Sequence, residues 1–286
     1  MIGAGAPSGK ANPVLPDGIL ECNAFPSVSI RADPIVSQLL DLNDITVKFG
    51  GLCAVDQVSI KVRPGERRAI LGPNGAGKTT LFNVITGVIH PSSGKVVFAG
   101  KDITREPIHA RARKGICRTF QITNLFSSLC VEENMMLAVY GGSSKKFSML
   151  GKTTLNARAQ EKIDQALRFT DLLDRRRVVV HALSYGEQRQ LELAMTLVAE
   201  PRLLLLDEPA AGLSPSERVM LSDIIRALPR DLPIVLIDHD MDLVLKLVDY
   251  ISVLSNGKLL AEGGPQDIKK NTEVQNVYFG KARDDA

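Results

Sequence analysis

Gly72-Pro73-Asn74-Gly75-Ala76-Gly77-Lys78-Thr79-Thr80 decides how this chain is read. The stretch fits the pattern G-x-x-x-x-G-K-[ST]. In that pattern the glycines let successive backbone N–H groups wrap a polyphosphate, the lysine reaches the outer phosphates, and the hydroxyl of the first threonine meets Mg²⁺. The surroundings agree. Arg68-Ala69-Ile70-Leu71 reads as a short strand feeding the loop, and Thr80 to Thr86 as the helix whose N-terminus completes an anion site. A ligand-free glycine-rich turn would account for the glycines but not for Lys78 and Thr79 at the required offsets.

Upstream of the loop, Ile45, Val47 and Phe49 alternate with polar residues, as do Val58, Ile60 and Val62. This pattern predicts two antiparallel strands. Residues 1–40 scatter prolines among glycines and serines without periodicity, which predicts a mobile extension, a partner-binding arm being the alternative. Downstream, Gly94 to Gly100 predicts a further strand. From about residue 105 the pattern turns helical: a basic helix between Pro107 and Gly115, then Glu132 to Val139 and Arg158 to Asp174. Gly141 to Lys146 reads as a surface loop. Gly151-Lys152-Thr153-Thr154 echoes the phosphate loop, but Lys146 occupies the place of the required glycine, so it is a decoy.

Leu203 to Leu206 and Ile234 to Ile237 are short, wholly apolar runs, each followed at once by acidic or imidazole side chains. Such runs suit strands buried on both faces of a parallel sheet, whose C-terminal ends are where ligands bind in open α/β folds. Ile251 to Leu254 and Lys258 to Ala261 flank Asn256-Gly257, a hairpin signal.

With 286 residues the chain is long enough for one large domain. A formal net charge of +3 describes a mixed surface, which argues against a nucleic-acid partner. Cys22, Cys53, Cys117 and Cys130 form no C-x-x-C pair, which argues against a zinc site or a disulfide framework and fits a reducing compartment. No run approaches the roughly 18 apolar residues of a membrane span, and the start shows no secretory signal.

Asp207 and Glu208 end the first apolar run. Two carboxylates there would be unpaired charge at a desolvation cost of several kcal/mol unless something compensates them. Mg²⁺ removes that difficulty: Asp207 would hold the metal shell, and Glu208 would polarise an attacking water. A helix cap after a strand is the simpler alternative. His239, just past the second run, could reach the γ-phosphate of the same site. Leu183-Ser184-Tyr185-Gly186-Glu187-Gln188 precedes an amphipathic helix, and Ser184 with Glu187 makes a capping box. A capped N-terminus with free N–H groups also binds phosphate, so the two roles are compatible.

Taken in order, the phosphate loop, Leu183 to Gln188, Asp207-Glu208 and His239 resemble the ATP-binding domain of ABC transporters over roughly residues 41–281. The resemblance implies an α/β P-loop nucleotide-binding domain: a mostly parallel core sheet, an antiparallel β part and a helical subdomain inserted near residues 105–186. It implies ATP and Mg²⁺ as cofactors, with Thr79, Gln121 and Asp207 toward the metal. Lys78, Gln121, Glu208 and His239 would carry the hydrolysis. Phe49 would stack on adenine, and Ser184 and Gly186 would clasp the γ-phosphate of an ATP held by a partner subunit, so that two sites form only on dimerisation. From spacing alone, Phe49 could equally be a core residue and Gln121 an ordinary loop amide.

Arg118-Thr119-Phe120-Gln121, Ala210 to Pro215, Asp238 to Met241 and Val277 to Gly280 most resemble ATP-binding subunits of branched-chain amino acid importers, with urea and amide importers much alike. By that resemblance the chain is a peripheral ATPase on the cytoplasmic face of the cell membrane, and it powers transmembrane permease subunits. A second ATP-binding subunit, a copy or a paralogue, would complete it. The surface from Gln121 to Phe126 would receive a permease helix. Tyr185 and Glu187 depart from the usual glycine and glutamine but leave the phosphate-contacting positions intact, whereas Ser214 departs from the usual aspartate, which bears on how the two sites communicate. The rival reading is an ABC ATPase that clamps nucleic acid. Lys78 and Ser184 are too close in sequence for the long coiled coil of the chromosome-associated type.

Overall fold

The computed structural model describes residues 38–119, 125–141, 157–238 and 240–279. Residues 1–37, Gln121, the stretch 142–156 with its decoy motif, and His239 lie outside the described residues.

The alternation around Ile45 and Val58 becomes β1 (Leu40–Phe49) and β2 (Leu52–Val62), antiparallel, with Phe49 opposite Leu52 at the tip. The boundary drawn at residue 40 falls slightly late. Leu39 and Leu40 are already buried, and Leu39 donates its N–H to the Val62 carbonyl at 2.8 Å. β3 (Arg67–Leu71) feeds the phosphate loop and α1 (Lys78–Thr86) leaves it. β4 (Ser93–Phe98) pairs with β1, and the short β5 (Lys101–Asp102) closes an antiparallel sheet in the order β2-β1-β4-β5.

α2 (Ile108–Arg113) is the basic helix, stopped by Gly115 at φ +92°. The stretch after residue 105 is not purely helical as read. Ile116-Cys117-Arg118 forms β6 (Ile116–Arg118), parallel to β7 (Leu203–Asp207) at the edge of the core sheet. A three-residue strand is too short for any periodicity to show. Next come α3 (Val131–Gly141) and α4 (Ala157–Phe169). The helix read through Asp174 ends at Phe169, because Asp171 takes φ +57° and Leu173–Arg175 turns as a 3₁₀ segment.

α5 (Tyr185–Leu197) precedes β7, and α6 (Pro215–Ala227) leads to β8 (Ile234–Ile237). After α7 (Met241–Leu247), β9 (Tyr250–Ser255) and β10 (Lys258–Gly263) form the expected Asn-Gly hairpin, with Asn256 at φ +48° and Gly257 at +76°. α8 (Pro265–Lys270) and α9 (Thr272–Phe279) end the described chain. The core sheet runs β10-β9-β3-β8-β7-β6, parallel except at the terminal hairpin.

That sheet separates two cores. Ile70, Leu203, Leu205, Val235 and Ile237 face α1 and the antiparallel sheet, while Ala69, Leu71, Leu204, Leu206 and Leu236 face the helices on the other side. The apolar runs are continuous because both faces are covered. The two layers are tied together from α2. Arg111, fully buried, donates to Val84 O (2.5 Å), Ile85 O (2.8 Å), Thr104 O (2.9 Å) and Glu106 O (3.0 Å); the first two are last-turn carbonyls of α1, where the Gly87 N–H also reaches Val84 O at 3.3 Å.

Cys53, Cys117 and Cys130 are free thiols, and burial pushes the Cys117 thiol up to about 11, so it serves as an apolar filler. Among the described residues no helix is long and apolar enough to cross a membrane.

Candidate active site

The phosphate loop owes its path to backbone behind it. Gly77 stands at φ +98°, and a Cβ there would lie 2.5 Å from the Ala54 carbonyl of β2; Gly72 is pressed in the same way against Leu254 of β9. From the β9–β10 hairpin, Gly257 N–H donates to Ala76 O at 3.3 Å. Lys78 lies across the loop and donates to Gly72 O at 2.7 Å and Pro73 O at 2.9 Å. Asn74, Gly75 and Thr79 remain exposed. α1 starts with no side-chain cap and no acidic residue in its first turn, whereas Ser184, Ser214 and Asp240 cap α5, α6 and α7. Its uncapped amides and positive dipole end are suited to an anion.

Asp207 closes β7 on the neighbouring side of the sheet and is 1% exposed. Its Oδ2 accepts from Arg118 Nη2, while Oδ1 is buried with no hydrogen-bond partner among the described residues. Glu208 follows at φ +46°, half-buried, its N–H bonded to Ile237 O at 2.7 Å. A glutamate in the left-handed region is strained backbone, of the kind that collects at functional sites. Burial pushes the Lys78 ammonium below its ordinary range, against the upward pull of Glu208 and Asp207. The loop lysine and both carboxylates therefore share one electrostatic site. A buried oxygen without a donor and an accessible Thr79 hydroxyl form an oxygen donor set that fits a hard divalent cation such as Mg²⁺.

The α5 terminus is elsewhere. Ser184 Oγ accepts from Glu187 N at 3.1 Å, and Ser184 N donates to Glu187 Oε2 at 2.8 Å, which is the expected capping box. Glu217 of α6 reaches across it. Its Oε1 accepts from Gly186 N (3.1 Å), and its Oε2 from the Ser214 N–H (2.9 Å) and hydroxyl (2.7 Å). The Ser214 bonds, more than the Gly186 amide, hold this carboxyl below the usual glutamate range, so it stays ionised at neutral pH. Ser184, Gly186, Glu187 and Glu217 line a cleft of about 530 Å³ to which no phosphate-loop residue contributes.

A family model described as ABC transporter matches residues 55–211. LivG of Salmonella typhimurium, a high-affinity branched-chain amino acid transport ATP-binding protein, is 40% identical over 251 residues, 85% of this chain and 98% of that protein. The chain belongs to the ABC transporter family. BraF of Pseudomonas aeruginosa, of the same description, is 39% identical with equal coverage. The solved ADP conformation of an ATP-binding cassette of an ABC transporter superposes with a TM-score of 0.75 at 30% identity, covering 86% of this chain and 100% of that one. A nucleotide-free cassette gives 0.74 at 32% identity, covering 85% and 99%. The fold read from the sequence is therefore the ABC ATPase fold, and the chain is an ATP-binding, ATP-hydrolysing member of the family.

Within this ABC domain the structure sets Gly72 to Thr80, Asp207 and Glu208 beyond the C-terminal ends of β3 and β7 and leaves Ser184 and Gly186 on a separate cleft. Phe49, 49% exposed at the β1–β2 tip, belongs to neither core, which removes the core alternative for it. Gln121 and His239 lie outside the described residues. Among the described residues nearby, Thr119 N donates to Leu205 O at 3.0 Å, and Asp240 N to Asp238 Oδ1 at 3.0 Å. Sequence reasoning missed Arg118 and Glu217. The signals were present, a cation at the end of an apolar segment and a second S-x-x-E at Ser214-x-x-Glu217.

Proposed function

We propose that this chain is the ATPase subunit of a branched-chain amino acid importer, bound to permease subunits on the cytoplasmic face of the membrane and paired with a second ATP-binding subunit. The supporting observation is the likeness to LivG and BraF along nearly their whole length. The separation of the Ser184–Gly186 cleft from the phosphate loop supports pairing, since one subunit alone does not join them.

In this reading the loop amides and Lys78 hold the triphosphate, and Phe49 stacks on adenine. Thr79, Gln121 and Asp207 hold Mg²⁺, which when bound neutralises charge on the phosphate oxygens. Glu208 polarises the attacking water, with His239 beside the γ-phosphate. Ser184 and Gly186 meet the γ-phosphate of the partner subunit's nucleotide.

Purification from native membranes should bring down permease subunits, and cells carrying Glu208→Gln in place of the wild type should lose uptake of leucine, isoleucine and valine. Unchanged uptake of all three with loss of urea or amide uptake would overturn the choice of solute. At the adenine end, Phe49→Ala should lose about 1–3 kcal/mol of ATP affinity, by analogy with base stacking elsewhere, without loss of folding; isothermal titration beside a urea melt checks both. At the far cleft, Ser184→Asp keeps a good N-cap but sets a negative charge against the partner's phosphate. Its thermal stability should match the wild type while ATP turnover falls, and wild-type turnover would leave Ser184 as a cap alone.

A further inference from the structure

Arg118 ends β6 and its side chain is only 9% exposed. One arm of its guanidinium, Nη2, donates to Asp207 Oδ2; the other, Nη1, donates to Asn83 Oδ1 of α1 at 2.7 Å. The group lies 5.6 Å from the centroid of the Phe82 ring, also on α1. One side chain thus joins the edge strand, the helix that leaves the phosphate loop, and the carboxylate at the end of β7. A fork-shaped cation can serve two acceptors in fixed directions, which a lysine cannot.

We infer that Arg118 is a positioning residue for hydrolysis, the resident counter-ion of Asp207, which fixes the carboxylate's rotation and keeps its affinity for a divalent cation moderate. The inference rests on reading Asp207 as the metal-holding carboxylate. With Oδ2 taken by Arg118, Oδ1 is the oxygen left without a hydrogen bond, so the pair chooses which atom is presented. The same pairing neutralises a carboxylate that is almost wholly buried. A cation arriving at Oδ1 therefore meets charge already partly balanced, and it is held less tightly than by a bare buried carboxylate.

These two roles respond to substitution in opposite directions, which separates them from a plain structural tie. Arg118→Met keeps an unbranched apolar stem but removes the charge and fork. Asp207 then loses its hydrogen-bonded counter-ion, and a divalent cation meets a less balanced charge. Mn²⁺ binding to the full-length protein loaded with ADP, read by electron paramagnetic resonance, should tighten by about tenfold. ATP turnover at saturating Mg²⁺ should fall by about tenfold, because the carboxylate is free to rotate. A structural tie alone would weaken both or neither.

Arg118→Lys keeps the charge and loses the fork, and it guards against misfolding of the methionine variant. Its Mn²⁺ affinity should stay within about twofold of the wild type while turnover falls. Mn²⁺ binding no tighter in Arg118→Met than in the wild type, or wild-type turnover in Arg118→Lys, overturns the inference. ADP binding in EDTA, unchanged in both variants, shows that the nucleotide site is intact. If the wild type itself takes up no Mn²⁺ with ADP, the metal reading of Asp207 fails, and this inference fails with it.

Discussion

Glu208→Gln should bind ATP as tightly as the wild type, hydrolyse it ~10²–10⁴ times more slowly, and accumulate as an ATP-bound dimer. The amide has the shape of the carboxylate, so the backbone at φ +46° and the Glu208 N–H bond to Ile237 O are undisturbed. What is lost is the negative oxygen that, in the proposed mechanism, polarises water. Asp207 does not replace it, because its Oδ2 is committed to Arg118 and its Oδ1 is the atom proposed to face the metal. Phosphate release measured beside size-exclusion chromatography in ATP checks both halves. Release near the wild-type rate would remove Glu208 from the chemistry.

Arg111→Met should cost about 3 kcal/mol of stability and roughly 10 °C in Tm, with nucleotide affinity per folded molecule unchanged. Four carbonyls take hydrogen bonds from this guanidinium, and three of those bonds lie in buried surroundings. The loss is smaller than four full bonds, because burial also pushes the guanidinium's pKa down, so the arginine carries its own desolvation cost. Urea unfolding would show it as a lower midpoint, and an unchanged midpoint would mean that water replaces the guanidinium at the end of α1.

Much of this was legible from residues because the signals were local. Gly77 had to be glycine where a loop turns under a phosphate, and the structure shows the Ala54 carbonyl that leaves no room for a side chain. Four consecutive leucines announced a strand covered on both sides, and Asn256-Gly257 announced the hairpin. The misses were contacts between residues far apart in sequence. Arg118 reads as an ordinary charge until β6 is laid beside β7. Glu217 reads as a cap for its own helix until Gly186 is found donating to it from another. β6 itself was too short to show a period, and Phe49 sits on an alternating strand whose tip happens to be uncovered.

The four leucines of β7 carry a further consequence. In a strand with one wet face, a one-residue slip turns every apolar side chain outward, and burial itself forbids the error. Between Leu203–Leu206 and Ile234–Ile237 a slip exchanges one aliphatic side chain for another on both faces, so hydrophobicity barely detects it. The alignment has to be marked by something polar. Here Asp207, anchored to Arg118, marks β7 against β6, and the Glu208 N–H bonded to Ile237 O closes its ladder with β8. A charge proposed to serve catalysis is thus also an index by which β7 finds its place beside β6, and neutralising Asp207 would loosen that alignment.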